Sequence, residues 1–96
     1  MSLTVVARIK SRGGKEAEVE KTLRGLIEPT RSEKGCINYN LHRSQEDPGL
    51  FMFYENWTSR EALDQHLSTP YLRDFLSRVE DLLDGPVDLQ MFDRLN

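Results

Sequence analysis

A turn sequence in the middle of the chain, Asp47–Leu50, constrains the fold more than any other feature. Proline followed by glycine at its centre is the preference of a type II turn. The segment before it, Cys36–Gln45, alternates with Ile37 and Tyr39 on one face, and Leu50–Trp57 after it is rich in aromatic residues. The sequence therefore predicts an antiparallel hairpin.

The segment before this hairpin predicts a strand followed by a long helix. Leu3–Lys10 contains β-branched residues and ends before two glycines, and Lys15–Glu33 has apolar residues at helical spacing. We expect Pro29 to kink that helix or end its regular part, because proline lacks the N–H and clashes with the preceding turn. Gly35 stands where a C-terminal cap is expected.

The segment after the hairpin predicts two helices and a strand. Thr58 and Glu61 fit a capping box with Thr58 as the N-cap of a helix that runs to about Leu67. A second helix is predicted to start at Pro70, since proline is tolerated at the first helical position. This helix carries the strongest apolar stripe in the chain. An alternating segment, Val87–Phe92, closes the chain as a last strand.

The resulting order, β-α-β-β-α-α-β, predicts an α+β, ferredoxin-like fold with a four-stranded antiparallel sheet. Its 96 residues, 1–96, are expected to form a single domain. Both faces of the third strand carry large apolar groups, so neither resembles a solvated face. We therefore expect a homodimer in which two sheets pack face to face.

Composition and charge narrow the classes of function. The net charge is −3 and no basic block is present, which argues against nucleic acid as a partner. The longest apolar run, Leu50–Tyr54, is far shorter than the ~20 residues of a membrane span, so no membrane association is expected. One cysteine, Cys36, excludes an intrachain disulfide and favours a cytoplasmic location.

His66, Glu55 and Trp57 are the first candidates for chemistry. His66 lies on or beside the apolar face of its helix and could act as a general base. The alternatives are a half-buried histidine that is hydrogen-bonded to a neighbour and a histidine that is stabilised at a helix C-terminus. Glu55 and Trp57 point to one side of a strand, where the carboxylate could orient a base and the indole could stack on a ligand; a salt bridge and a core tryptophan are the alternative.

Further candidates are aromatic or cationic. Tyr39 and Tyr54 could donate phenolic hydrogen bonds, Tyr71 and Phe75 are expected to line any cavity under the last helix, and Arg43 could hold an anionic substrate. Packing and an exposed charge are the alternative interpretations. No close-spaced ligand pair predicts a metal site, and no phosphate loop or nucleophile motif is present.

Three groups of residues resemble the antibiotic biosynthesis monooxygenase (ABM) family. They are Gly35-Cys36-x-x-Tyr39, Glu55-x-Trp57-x-Ser59 and Ala62-Leu63-x-x-His66-Leu67-x-Thr69-Pro70. The resemblance covers nearly the whole chain. It implies a dimeric α+β barrel with a pocket between the sheet and the helices of each subunit.

The resemblance also implies a reaction. Several members oxidise phenols or hydroquinones with O2 and no cofactor, because a deprotonated electron-rich ring can itself reduce O2. On this chain His66 would be the base or proton relay and Glu55 would orient it. Trp57 and Tyr39 would position the ring, and Tyr54 or Asn38 would bond a substrate oxygen.

Relatives with the same fold leave alternatives open. Haem-degrading members use an asparagine, a tryptophan and a histidine where this chain has Ala7, His66 and Leu76, so haem degradation is not expected. Other relatives isomerise phosphorylated signalling sugars, which would need a cationic anchor such as Arg43, Arg8 or Arg73. A non-catalytic small-molecule-binding dimer is the third possibility.

Overall fold

The computed structural model describes residues 2–96 and contains one four-stranded antiparallel sheet. The strands are β1 (Leu3–Lys10), β2 (Cys36–Arg43), β3 (Leu50–Trp57) and β4 (Asp88–Phe92). The helices are α1 (Glu16–Arg24), α2 (Ile27–Arg31), α3 (Arg60–Leu67), α4 (Pro70–Ser77) and α5 (Val79–Leu82). The sheet order is β2-β3-β1-β4, which confirms the predicted ferredoxin-like fold.

One face of the sheet forms the floor of the core. On β3, the alternate residues Phe51, Phe53, Glu55 and Trp57 are buried, whereas Tyr54 between them is exposed. The helices contribute the other layer of the core. Its buried helical side chains include Val19, Leu23, Leu63, Leu72, Phe75 and Leu82. The helices therefore cover the inner face, and the other face of the sheet, the outer face, is left partly exposed.

The long predicted helix is divided, but not at Pro29. Helix α1 ends before Gly25, whose N–H donates to the Lys21 carbonyl, and α2 begins at Ile27. Pro29 is the third residue of α2, within the first turn, where backbone N–H groups have no intrahelical acceptor. The predicted kink at Pro29 is therefore wrong, because proline is tolerated at that position.

Gly35 is required by close packing and not by a helix cap. The C-cap of α2 is Ser32. Gly35 does not have the positive φ of a glycine cap, unlike Gly14 and Gly85. A Cβ added at Gly35 would lie 2.3 Å from the Cβ of Ala62 on α3. The glycine thus permits α3 to pack directly against the start of β2.

Two local predictions at the ends of β3 are also corrected. The turn at Asp47–Leu50 closes with a bond from the Leu50 N–H to the Asp47 carbonyl, but Gly49 lacks the positive φ of a type II turn. The N-cap of α3 is Ser59, not Thr58, and its Oγ accepts a bond from the Ala62 N–H. Serine and threonine can both cap a helix, so the prediction from sequence placed the cap one residue too early.

A bulge in β2 reverses the expected direction of Ile37. The register with β3 shifts between Cys36 and Asn38, so Ile37 is exposed while Tyr39 remains in the core. Among residues 2–96, no helix has the length and apolar character needed to cross a membrane.

Candidate functional site

Three elements converge on the imidazole of His66. His66 lies in the last turn of α3, where its side chain is 3% exposed, and its Nδ1 lies 2.8 Å from Oε2 of Glu33. Glu33 follows α2, and its side chain is 15% exposed. The Tyr71 hydroxyl, at the start of α4, donates to the same carboxylate oxygen. The histidine is therefore held by a carboxylate that has a second donor of its own.

The second buried carboxyl group, Glu55, has a different partner. The Trp57 indole Nε1–H donates to Glu55 Oε1 at 2.9 Å, within β3. Both residues are buried, with 3% exposure for Glu55 and 0% for Trp57. The carboxylate that bonds His66 is thus Glu33 and not the expected Glu55.

Aromatic rings surround the imidazole. The His66 ring centroid lies 4.6 Å from that of Trp57 and 5.5 Å from that of Tyr39. Tyr39 in turn stacks on Phe53 at 4.2 Å. These contacts restrict the imidazole to one orientation and exclude water from most of its surface.

His66, Glu55 and Tyr39 all face one apolar cavity. Its volume is about 40 Å³, and its walls come from the sheet, from α3 and α4 and from the chain around β4. The apolar lining residues are Ala7, Ile9, Leu26, Phe53, Leu67, Leu72, Phe75, Leu76, Val87 and Leu89. Ligand pockets usually enclose roughly 300–1,000 Å³, so this cavity is closed down around its three polar groups.

Burial keeps His66 in its neutral form. Loss of hydration lowers the pKa of His66 below its ordinary value, and the adjacent Glu33 carboxylate opposes this with a smaller effect in the other direction. A histidine with a lowered pKa is unprotonated at neutral pH, so it is available to accept a proton.

Burial has the opposite consequence for the acidic groups. It raises the pKa of Glu55 to about 7, partly offset by the Trp57 hydrogen bond. Burial, followed by the Glu33 hydrogen bond, raises the pKa of Tyr71 to about 12, and burial also raises the pKa of Tyr39. Near neutral pH the cavity therefore contains a neutral imidazole and a carboxyl group that is close to half protonated.

Three expected substrate-binding residues lie outside the cavity. Tyr54 and Asn38 are on the outer face of the sheet, where the Asn38 amide donates to the Tyr54 carbonyl. Arg43 is at the end of β2, where it pairs with Glu20 and lies over the Phe51 ring. Tyr54 and Asn38 point away from the inner face, and Arg43 is the last residue of its strand. The structure therefore does not bring these three residues to His66.

The other expected residues are close to the imidazole. Tyr39 and Phe75 line the cavity, Trp57 packs on the imidazole, and Tyr71 reaches it through Glu33. Glu33 is the residue that sequence reasoning missed. It lies in a charged segment, Arg31–Lys34, that resembles an ordinary solvated helix end, and 33 positions separate it from His66.

The described part of the chain, residues 2–96, contains no grouping of three or more His, Cys, Asp or Glu residues arranged to hold a metal ion. What the site offers is a proton acceptor, a protonatable carboxyl group and a phenol in an apolar enclosure. Such a site can remove a proton from a weakly acidic substrate and stabilise the resulting anion.

Comparison with known proteins identifies the family. The model of the family described as antibiotic biosynthesis monooxygenase matches residues 2–78, so the chain belongs to this family. The match confirms the resemblance that the motifs around Tyr39, Glu55 and His66 indicated.

Individual relatives share both sequence and fold. An uncharacterized protein, sll1783, from Synechocystis is 36% identical over 90 residues, which are 94% of this chain and 61% of that protein. The chain thus spans less than two thirds of that relative's length. "Putative monooxygenase Rv0793" from Mycobacterium tuberculosis is 35% identical over 85 residues, 88% of this chain and 83% of that one. The crystal structure of PA3566 from Pseudomonas aeruginosa superimposes with a TM-score of 0.94 and 35% identity, covering 99% and 95% of the two chains.

Proposed function

We propose that this protein is a cofactor-independent monooxygenase that oxidises a small quinol or polyphenol with O2. The observation that carries the proposal is a buried, neutral imidazole facing an apolar cavity beside a carboxyl group with a raised pKa. Membership of the monooxygenase family and the name of the mycobacterial relative support it.

The reaction starts with a proton transfer. His66 accepts the proton of a substrate hydroxyl, and the phenolate that remains is electron-rich enough to give an electron to O2. One oxygen atom then replaces a ring hydrogen, and the other leaves as water with the two hydrogens that the substrate loses. A quinol and O2 thus give a hydroxyquinone and one water, and no external reductant is required.

The surroundings of His66 fit these steps. An apolar cavity strengthens the attraction between the imidazolium and the phenolate, because few water dipoles screen it. Glu55, protonated in part of the molecules near neutral pH, supplies a proton to the reduced oxygen and recovers it later from the medium. Tyr39 and Phe75 lie where they would contact the ring of the substrate.

A phosphorylated substrate fits this cavity less well. None of the described residues that line it is a lysine or an arginine. The anchors expected for a phosphate, Arg43, Arg8 and Arg73, are not among the lining residues either. A sugar phosphate would leave its charge without a partner in an apolar enclosure, which is costly. A non-catalytic binding dimer has no residue-level observation in its favour over the proton-transfer site.

We further propose that the protein acts in the cytoplasm, which its single cysteine favours.

We also propose that a second copy of the chain covers the outer face of the sheet. Val6 and Tyr54 pair across β1 and β3 on that face, and Met52 follows beside them. The side chain of Tyr54 is 41% exposed in the single chain. Covering these groups would bury apolar surface that a small domain cannot bury alone.

O2 uptake by the metal-stripped protein with a panel of hydroquinones tests the reaction. We expect uptake above the autoxidation rate and a fall of about 100-fold or more in kcat for His66→Ala, because general base catalysis contributes about 10²–10⁴. The control is Gln65→Ala, since Gln65 directly precedes His66 on α3 but is exposed to solvent. Equal uptake by both variants, or none with any quinol, would refute the proposal.

A further inference from the structure

We infer that Glu33 is the positioning residue of this site: it holds His66 with its Nε2 lone pair available to the cavity and stabilises the imidazolium formed there. Tyr71 fixes the Glu33 carboxylate in turn. The inference rests on the proposed function, because it assumes that His66 is the base.

The backbone around Glu33 is fixed on both sides. Its N–H donates to the Thr30 carbonyl at 3.0 Å, and its carbonyl accepts from the Cys36 N–H at 3.1 Å. The side chain therefore leaves a rigid connection between α2 and β2 and reaches His66 at the end of α3. A carboxylate held in this way constrains the imidazole better than a mobile surface residue would.

The hydrogen bond determines which nitrogen carries the proton. The Glu33 oxygen also accepts from the Tyr71 hydroxyl, so as an acceptor in the 2.8 Å contact it places the His66 proton on Nδ1. In the neutral ring the lone pair then belongs to Nε2. When Nε2 takes the substrate proton, the positive charge lies beside the Glu33 carboxylate, and the same proton can later return to the reduced oxygen.

Tyr71 supplies the second restraint. Its hydroxyl donates to the oxygen of Glu33 that also accepts from His66, and it lies 3.3 Å from the Pro29 carbonyl. Two donors on one carboxylate oxygen hold that oxygen in a fixed position beside the imidazole. The carboxylate is thereby positioned as a counter-charge to the imidazolium.

Other titratable groups face the imidazole from the sheet. They are Tyr39 on β2 and Glu55 on β3, and both line the cavity with His66. Burial lowers the pKa of His66, and Glu33 is the group that raises it in opposition. Removal of the Glu33 charge should therefore lower the pKa of His66 further, whereas a loss of packing would expose the imidazole to water and raise its pKa.

Side-chain NMR of ¹⁵N-labelled protein, wild type beside Glu33→Gln, tests the inference without any substrate. We expect the Nδ1–H tautomer of His66 in the wild type, and a further lowered pKa of His66 in Glu33→Gln. Glutamine keeps the shape and an acceptor oxygen but removes the charge. The control is Glu28→Gln, an exposed residue of α2 that should leave both signals unchanged.

Steady-state kinetics with a quinol that the wild-type protein oxidises give the second readout. In Glu33→Gln we expect kcat to fall about tenfold and the acidic limb of the pH profile to move to lower pH, because the imidazolium has lost its counter-charge. Tyr71→Phe should speed the exchange of the Nδ1 proton with water, and unchanged exchange would remove Tyr71 from the inference.

The outcomes separate this inference from the proposed function. An Nε2–H tautomer in the wild type, or a pKa of His66 that is equal in Glu33→Gln and Glu28→Gln, would overturn the role of Glu33. If no quinol is oxidised, the proposed reaction fails, while the NMR titration still decides whether Glu33 positions His66.

Discussion

The contact between Gly35 and α3 gives the sharpest prediction for stability. In Gly35→Ala the new Cβ would lie 2.3 Å from the Ala62 Cβ and 3.0 Å from the Thr58 hydroxyl oxygen. Carbon atoms normally approach to about 3.5–4.0 Å, so α3 or the start of β2 must move by about 1 Å or more. Overpacking of this kind costs about 1–3 kcal/mol, and we expect a decrease of that size in the free energy of unfolding.

Urea denaturation followed by circular dichroism measures this decrease. The control is Gly13→Ala, because a Cβ there meets no atom within 4 Å and Gly13 is not among the described glycines with positive φ. Ala62→Gly should restore part of the loss in the double variant, although glycine inside a helix itself costs about 1 kcal/mol. If Gly35→Ala and Gly13→Ala are equally stable, or Ala62→Gly gives no rescue, the steric argument is refuted.

Two further predictions concern Glu55 and the outer face. Because the pKa of Glu55 is raised to about 7 from the ordinary 4.5, the folded protein binds more protons than the unfolded chain between these values. The free energy of unfolding should therefore fall by about 3 kcal/mol as pH rises from 4.5 to 7. Urea denaturation at pH 4.5 and 8 measures this fall, and Glu55→Gln should lack it. An equal fall in the wild type and Glu55→Gln would contradict the assignment. Sedimentation should give twice the chain mass of 11.1 kDa for the wild type and a single chain for Met52→Arg, and a monomeric wild type would refute the dimer.

Sequence patterns predicted the fold because local signals agreed with one another. The alternation of β3, the apolar stripe of α4 and the proline at its start each specify an element without reference to distant residues. Errors arose where two residues could serve one role, as with Thr58 and Ser59, or where a residue such as Gly35 is required by a contact across the fold.

The candidate site was less accessible to sequence reasoning. His66 and Glu55 could be selected as residues with chemistry on apolar faces, and the structure places both on one cavity. The partners of His66 could not be predicted. Glu33 and Tyr71 meet although 38 positions separate them, and no local periodicity links a helix end to the start of another helix.

The small volume of the cavity affects how ring-shaped ligands can bind. About 40 Å³ does not accommodate a quinol, so a quinol that binds must do so in molecules where the cavity has widened. Its apparent affinity is then the intrinsic affinity multiplied by the fraction of molecules in that open conformation. For the proposed reaction, the choice of substrate would then depend on the equilibrium that widens the cavity as well as on the contacts made inside it.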